Sequence, residues 1–232
     1  MSVSLTQVSR IALLCDFDGT ISPVNVQEQL YYHFADPTTR IINERWDRGE
    51  ISTKEELEAC FNSISASKEE MQTFFDTIHI DPHFPAIIEY CQNKDIFLAI
   101  LSDGLRWYID YILNAHGILD IPVYANDIFF TDRGFQFGFP WFDNSSPLRG
   151  TSKNNIIRNF REQGYFIIFA GDGLSDTDAV QYADLIFAKD YLLSYVNSHH
   201  IPALEFENLL DVINRIKDLS LKAEPDINES II

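Results

Sequence analysis

The sequence predicts an α/β fold built on a doubly wound parallel sheet. Three continuous apolar runs of strand length occur at residues 11–15, 96–101 and 165–170, and each ends in a cluster of Asp, Gly or Ser residues. Helical patterns follow the second run at 105–115 and the third at 174–182, and a short run at 185–188 precedes a helix from Tyr191. Strands that alternate with helices in this way are typical of βαβ units, and fully apolar strands are typical of a sheet buried on both faces.

A long insertion separates the first polar cluster from the second apolar run. It covers about seventy-five residues, far more than one crossover connection needs. Its sequence predicts four helices, at 27–35, 37–48, 52–63 and 68–78, the third of which begins at the capping box Ser52–Glu55. We therefore predict a core of residues 1–21 and 85–221, a helical cap at 22–84, and a flexible tail at 222–232.

A β-hairpin is predicted between the second and third βαβ units. Residues 126–131 and 135–139 flank Asp132-Arg-Gly134, which has the composition of a tight turn. The aromatic side chains of this stretch are expected to pack into the core rather than to line a pocket, because the two strands alternate.

Composition excludes several classes of partner. The 232-residue chain has 35 acidic and 17 basic residues, a net charge of −18, which disfavours nucleic acid and anionic membranes. No apolar run approaches the roughly 20 residues that cross a bilayer. The cysteines, Cys15, Cys60 and Cys91, form no C-x-x-C pair, and no export signal is visible, so we expect a reducing, cytoplasmic location. An anionic small molecule remains possible, because a divalent cation can invert the local field.

The polar clusters at the strand ends predict a metal-assisted site. Asp16 and Asp18, in the motif D-F-D-G-T, point the same way from an extended chain end, and two carboxylates so close need a cation. Mg²⁺ suits carboxylates supplied by Asp16 and by Asp172 of the motif G-D-G-L-S-D. Asp176 of that motif is expected to orient these ligands.

Other residues of the clusters predict a phosphate site. Ser102 and the backbone N–H groups of Asp103 and Gly104 offer neutral donors to a phosphoryl oxygen, and Lys153 offers a positive charge. The Asp103 side chain has an alternative role as the N-cap of the following helix. A carboxylate nucleophile, a metal, a hydroxyl and a lysine together indicate phosphoryl transfer through an aspartyl-phosphate.

These motifs, in this order along nearly the whole chain, resemble those of the haloacid-dehalogenase superfamily phosphatases. The place of the helical insertion resembles the C1-capped, phosphoserine-phosphatase-like branch. Within it, the segments 102–109, 124–126 and 187–192 look most like the methionine-salvage group that acts on 2-hydroxy-3-keto-5-methylthiopentenyl 1-phosphate. The resemblance implies a HAD-like Rossmannoid core.

The resemblance also implies a role for each motif residue. Asp16 would be the nucleophile, and Asp18 the general acid and base. Mg²⁺ would be held by the Asp16 and Asp172 carboxylates and the Asp18 backbone carbonyl, while Ser102 and Lys153 would bind the transferring phosphoryl group. The expected partner is a small phosphorylated metabolite, and the expected state is a monomer or homodimer.

Departures from the resemblance bear on the substrate. Phosphoserine phosphatases carry a Glu seven residues after the second catalytic Asp and an Arg in the cap, whereas this chain has Asn25 and no arginine in 55–61. The methionine-salvage group often has cysteines before the motif lysine, whereas this chain reads L-R-G-T-S. Phosphoserine phosphatase, a phosphotransferase or mutase, and a non-catalytic receiver-like phosphoacceptor switch remain as alternatives.

Overall fold

A seven-stranded sheet forms the centre of the computed structural model, which describes residues 10–221. Its strands are β1 (Ile11–Cys15), β2 (Ile96–Leu105), β3 (Val123–Thr131), β4 (Gly134–Gly138), β5 (Phe166–Gly171), β6 (Leu185–Ala188) and β7 (Leu204–Glu205). They are ordered β4-β3-β2-β1-β5-β6-β7, with every pair parallel except β3 and β4. The first strand therefore lies at the centre of the sheet, between β2 and β5.

Helices cover both faces of the sheet. The five that pack against it are α5 (Phe84–Asn93), α6 (Arg106–Ala115), α7 (Lys153–Glu162), α8 (Asp190–Ser198) and α9 (Leu209–Leu221). Successive side chains of a strand point to opposite faces, so Leu13 and Cys15 join the cluster with α5, α6 and α9, whereas Ala12 and Leu14 join the cluster with α7 and α8. This arrangement confirms the predicted doubly wound α/β fold.

The segment between β1 and α5 is helical, as predicted. It contains α1 (Val26–Phe34), α2 (Thr39–Asp47), α3 (Thr53–Phe61) and α4 (Lys68–Phe75). The capping box at the start of α3 is present: Ser52 accepts the Glu55 N–H, and the Glu55 carboxylate accepts the Ser52 N–H. Tyr31 packs edge-on against Phe61, with ring centroids 5.7 Å apart, which joins α1 to α3.

The predicted hairpin is confirmed, and it packs on the inserted helices. Strands β3 and β4 pair in antiparallel register from Thr131 opposite Gly134. Phe61 of α3 contacts Phe135 and Phe137 edge-on, at centroid distances of 5.2 and 5.3 Å. The hairpin aromatics thus contribute to packing, as expected.

Two elements differ from the prediction. Strand β2 continues through Ser102 to Leu105, because its pairing with β3 shifts register between Leu101 and Leu105 and so keeps the polar cluster within the strand. The α-helix predicted at 174–182 is wrong: a 3₁₀-helix at Leu174–Asp178 stands there. Its Asp176 carboxylate turns back to accept the Asp172 and Gly173 N–H groups, which favours the tighter turn.

None of the helices within residues 10–221 is both long and apolar enough to span a membrane.

Candidate active site

Lys153 forms buried ion pairs with Asp16 and Asp176. Asp16 directly follows β1, and its N–H bonds to the Ala170 carbonyl, so the sheet fixes its position. Lys153 is the first residue of α7, and its Nζ lies 2.5 Å from Asp16 Oδ1 and 2.6 Å from Asp176 Oδ1. Burial lowers the pKa of Lys153, but the two carboxylates outweigh it and raise that pKa above its usual value. The lysine therefore stays charged beside Asp16.

Asp18 stands beyond the strand end with both carboxyl oxygens bonded. Its Oδ1 accepts the Val26 N–H at 2.8 Å, and its Oδ2 accepts the Tyr108 hydroxyl at 2.5 Å. The Ser102 hydroxyl donates to the same Oδ2 at 3.4 Å. Burial raises the pKa of Asp18 to about 6, and these donors limit the rise. A carboxyl with this pKa suits proton transfer near neutral pH.

Carboxylates gather where β1 and β5 end. Oxygens of Asp16, Asp172 and Asp176 lie within 4.8 Å of one another. Burial, and then the neighbouring Asp176, raise the pKa of Asp172 to about 7. Thr20 donates its hydroxyl to Asp172 Oδ1 at 2.9 Å. Gly19 leaves the room that this carboxylate occupies, because a Cβ there would stand 2.1 Å from Asp172 Oδ2.

This acidic cluster fits a hard divalent cation. It offers oxygen ligands alone, and Lys153 is the cation that bonds to it. Asp176 differs from the other two, because its Oδ1 accepts from Lys153 and its Oδ2 accepts the N–H groups of Asp172 and Gly173. Those bonds tie Asp176 to the backbone of Asp172 and to the Lys153 ammonium; that Asp176 orients the metal ligands stays a prediction.

Ser102, Asp103 and Gly104 lie at the end of β2, next to Asp18. The Gly104 N–H donates to the Ser102 hydroxyl at 2.9 Å. The Asp103 side chain does not cap α6, whose N-cap residue, Leu105, makes no side-chain capping bond. Instead Asp103 Oδ2 accepts the Thr53 hydroxyl at 2.5 Å, and Oδ1 accepts the Gly150 and Thr151 N–H groups. The capping alternative for Asp103 is therefore wrong, because its carboxylate bonds to α3 and to the loop before α7.

A cavity of about 420 Å³ opens above these residues. Six of the eight residues that the sequence places in the site line it. The other two, Lys153 and Asp176, lie behind Asp16 with fully buried side chains. The opposite wall comes from the inserted helical segment, which contributes Asn25, Gln27, Glu28, Tyr31, Asn43, Trp46, Asp47, Thr53 and Glu56.

Thr53, Glu56 and Tyr108 are among the lining residues that the sequence does not predict. For two of them a signal existed, because the buried positions of α3 are 53, 56, 57, 60 and 61, the spacing of one helix face. A carboxyl residue on the apolar face of a helix indicates a special role. Tyr108 carried no such signal, since an aromatic residue in α6 also suits the core.

Comparison with known proteins agrees with this geometry. Residues 13–181 match the haloacid dehalogenase-like hydrolase family. A protein of Bacillus cytotoxicus, named 2-hydroxy-3-keto-5-methylthiopentenyl-1-phosphate phosphatase, is 26% identical over 218 residues, covering 90% of this chain and 97% of the relative. A protein of the same name from Bacillus pumilus is 30% identical over 203 residues, covering 85% and 87%.

A solved structure agrees at the level of the fold. A substrate-bound phosphoserine phosphatase superposes with a TM-score of 0.69 at 16% identity, covering 89% of this chain and 98% of the other. These matches decide against the receiver-like switch. The chain belongs to the haloacid dehalogenase-like hydrolase family, as one of its phosphatases.

Proposed function

We propose that the protein hydrolyses the phosphate monoester of a small metabolite through a phosphorylated Asp16, with Mg²⁺ as its cofactor. The observation that carries this proposal is the meeting of Asp16, Asp18, Ser102 and Asp172 around one cavity, with Lys153 bonded to Asp16 from behind. These groups come from the ends of three adjacent parallel strands and from the first turn of α7. Ligands bind at such an edge in open α/β sheets.

The inserted helices act as a cap in this proposal. We propose the division that the sequence predicts, a cap at 22–84 on a core of 1–21 and 85–221. Within the described residues, the cap segment carries one wall of the cavity and the core segments carry the reacting groups. A wall from a separate segment limits the size of the substrate and keeps bulk water from the reacting atoms. The flexible tail predicted at 222–232 lies outside the described residues.

In the first step, an Asp16 oxygen attacks the phosphorus atom and the bond to the leaving alcohol breaks. Lys153 neutralises part of the charge on the phosphoryl oxygens, and the Ser102 hydroxyl donates a hydrogen bond to one of them. Asp18 gives its proton to the leaving oxygen, for which its pKa of about 6 is suited.

In the second step, water attacks the phosphorus atom of the aspartyl-phosphate. Asp18, now ionised, takes a proton from that water, and inorganic phosphate leaves with Asp16 restored. The Tyr108 and Val26 donors hold the Asp18 carboxyl in one place for both transfers.

The Asp16 and Asp172 carboxylates and the Asp18 backbone carbonyl would hold the cation. When bound, Mg²⁺ offsets the charge of the acidic cluster and of the phosphoryl group, so that an anion can approach Asp16. Asp176 would keep Asp172 and Lys153 oriented through its three hydrogen bonds.

For the substrate, we propose the methionine-salvage phosphate in the name of the Bacillus relatives. Support comes from their coverage of 85% to 90% of this chain. Phosphoserine is disfavoured, because Asn25 is uncharged and uses its side-chain oxygen to accept the Glu28 N–H at the start of α1. No arginine occurs in the α3 segment 55–61.

The test is Mg²⁺-dependent turnover of p-nitrophenyl phosphate and of that metabolite by the purified protein. We expect EDTA and Asp16→Asn each to abolish turnover, and Asp18→Asn to slow it by about 10²–10⁴. Asp132→Asn, in the exposed hairpin turn, is the matched control and should keep the wild-type rate.

Sustained turnover by Asp16→Asn would reject the nucleophile, and unchanged kcat in Asp18→Asn would reject its proton-transfer role. An added alcohol acceptor separates hydrolysis from phosphoryl transfer: phosphate recovered mainly on the alcohol would contradict the hydrolase proposal.

A further inference from the structure

Three polar side chains form a buried cluster on the cap side of the cavity. Gln27 and Tyr31 stand four residues apart on α1 and so share one helix face, and Glu56 reaches the same wall from α3. The Gln27 Nε2 amide donates to Glu56 Oε2 at 3.1 Å. We call these residues the cap cluster. The proposed reaction uses none of them.

Two atoms of the cap cluster are buried with hydrogen-bonding capacity to spare. Within residues 10–221 the Gln27 Oε1 has no hydrogen-bond partner, and the Tyr31 hydroxyl, in a side chain only 1% exposed, interacts with the Glu56 carboxyl without forming a well-aligned hydrogen bond. A buried polar atom without a partner costs about 1–3 kcal/mol, so such atoms are uncommon unless a ligand satisfies them. Both residues line the cavity, which is the natural source of that ligand.

The Glu56 carboxyl adds a group that suits a neutral ligand. Burial raises the pKa of Glu56 to about 8, so the group is mostly protonated at neutral pH. A protonated carboxyl offers one donor and retains acceptor capacity, and the Tyr31 hydroxyl and Gln27 amide also offer both kinds of group. The cap cluster is therefore matched to hydroxyl and carbonyl oxygens.

The charge of the cavity opposes an anionic leaving group. Besides the protonated Glu56, seven of its lining side chains are acidic: Asp16, Asp18, Glu28, Asp47, Asp103, Asp172 and Asp190. Among the lining residues of the described chain, none is Lys, Arg or His. Lys153 and the proposed cation would offset the reacting phosphoryl group, but nothing on the cap wall would offset a carboxylate beside it.

Arg149 is the buried cation that lies behind this wall. Its guanidinium sits 5.3 Å from the centre of the Trp46 ring, and its Nε stands 3.6 Å from Asp178 Oδ2. Nε and Nη1 make no hydrogen bond within residues 10–221. Because Arg149 does not line the cavity and the Asp178 carboxylate offsets its charge, Arg149 does not bind a substrate carboxylate in this arrangement.

Given the phosphatase activity proposed above, on which this step rests, we propose that the cap cluster binds hydroxyl or carbonyl oxygens of the leaving group. The substrate is accordingly the phosphate monoester of a small, uncharged hydroxylated or keto alcohol that carries no carboxylate. A cavity of about 420 Å³ suits such a small molecule.

The first experiment compares four three-carbon phosphates on the wild-type protein with Mg²⁺: dihydroxyacetone phosphate, glycerol 1-phosphate, 3-phosphoglycerate and phosphoserine. We expect kcat/KM for the first two to exceed that for the two carboxylates by about tenfold or more, since a lost or unpaired polar contact costs about 1–3 kcal/mol. Equal or better turnover of either carboxylate would overturn the proposal. In that event Arg149→Gln would show whether the arginine binds the carboxylate.

The second experiment removes the polar atoms of the cap cluster. Tyr31→Phe and Glu56→Met should each lower kcat/KM for dihydroxyacetone phosphate by about tenfold, while p-nitrophenyl phosphate, whose leaving group offers no such hydroxyl or carbonyl, changes by less than about twofold. Glu56→Gln keeps a neutral donor and acceptor, so it should retain most of the activity. The matched controls are Tyr90→Phe, a half-buried position of α5 that does not line the cavity, and Glu58→Gln, on the exposed face of α3.

The paired substrates separate the possible failures. Wild-type protein that turns over none of these esters would reject the proposed function, and this proposal with it. Wild-type turnover combined with equal losses on both substrates in Tyr31→Phe and Glu56→Met would reject the cap cluster alone. Retained p-nitrophenyl phosphate activity shows that each variant is folded.

Discussion

Gly104 and Tyr108 together define the place of the Asp18 carboxyl. The Tyr108 hydroxyl reaches Asp18 Oδ2 across Gly104, where a Cβ would stand 1.7 Å from that hydroxyl and 2.8 Å from Oδ2. The glycine is therefore required by close approach rather than by backbone conformation. Tyr108 acts on the reaction through Asp18, as a positioning residue.

Tyr108→Phe should lower kcat by about tenfold with a smaller change in KM, because Asp18 loses a donor that orients it while the phosphate contacts remain. Steady-state kinetics with p-nitrophenyl phosphate measure both constants. Tyr111→Phe is the matched control, since the Tyr111 hydroxyl lies one turn on and bonds to Asp76 outside the site. Equal kcat in the two variants would contradict the positioning role.

At the level of residues, the sequence predicted the site best for side chains whose place depends only on the order of strands in the sheet. The proximity of Asp16, Ser102 and Asp172 could be predicted, because the carboxyl ends of parallel strands meet at one edge of the sheet. The places of Glu56 and Tyr108 in the cavity could not be predicted, because they depend on how the helices pack across the site. Periodicity assigns a residue to a helix face but does not say what that face meets.

Asp103 connects three elements at the side of the cavity. Its carboxylate joins the end of β2 to Thr53 at the start of α3 and to the N–H groups of Gly150 and Thr151 before α7. The Thr53 hydroxyl also accepts the Trp46 indole N–H at 3.0 Å. The backbone N–H of Thr53 donates to the Leu148 carbonyl. This network holds α2 and α3 against the sheet.

Thr53→Val should lower the free energy of unfolding by about 1–3 kcal/mol, because it leaves Asp103 and Trp46 with unsatisfied buried atoms while keeping the shape of the side chain. Urea unfolding of the full chain measures the change. Thr73→Val, on the exposed side of α4, is the control and should shift the midpoint little. Similar losses in both variants would show that the network contributes nothing specific.

Glu56 makes the stability of the α3 face depend on pH. Burial raises its pKa to about 8 from an ordinary value of 4.5, so the folded state binds the proton more tightly than the unfolded state. The contribution of the protonated Glu56 carboxyl to the free energy of unfolding is complete below about pH 4.5, and it is lost as the pH rises toward 8. The slope is at most about 1.4 kcal/mol per pH unit.

The free energy of unfolding of wild type, relative to Glu56→Gln, should therefore fall between pH 5 and pH 7 in the presence of EDTA. Glu55→Gln is the neighbouring control: hydrogen bonds from Ser52 lower the pKa of Glu55, so its difference from wild type should stay constant in this range. A constant difference for Glu56→Gln as well would show that this carboxyl is ionised in the folded protein.

The observed boundaries of helices and strands agree with the predicted ones where nearby residues determine them. The capping box at Ser52 fixed the start of α3, and the turn at Gly134 fixed the hairpin register. The extension of β2 to Leu105 and the 3₁₀-helix at Leu174–Asp178 depend instead on contacts with distant residues or on a side chain that folds back. A sequence window does not contain that information.

The whole molecule carries an excess of negative charge, and part of it is concentrated in the active site. The chain has a net charge of −18, and Asp16, Asp172 and Asp176 share a small buried space with one lysine. Mutual repulsion and burial destabilise the folded state, because each ionised carboxylate lacks the water it has when unfolded. Binding of a divalent cation to the folded state alone would offset this cost.

Mg²⁺ should therefore raise the Tm of the wild-type protein, by roughly 5–10 °C when free Mg²⁺ is a hundred times its Kd. Asp172→Asn removes one carboxylate from the cluster, so it should raise the Tm measured in EDTA and abolish the response to Mg²⁺. Asp132→Asn changes the net charge equally but lies in the exposed hairpin turn, and it should keep the full response. Thermal unfolding of the three proteins, with EDTA and with Mg²⁺, distinguishes a local cation site from general screening of the acidic surface. A full Mg²⁺ response in Asp172→Asn would mean that the ion acts elsewhere on the chain, and the metal assignment would then be wrong.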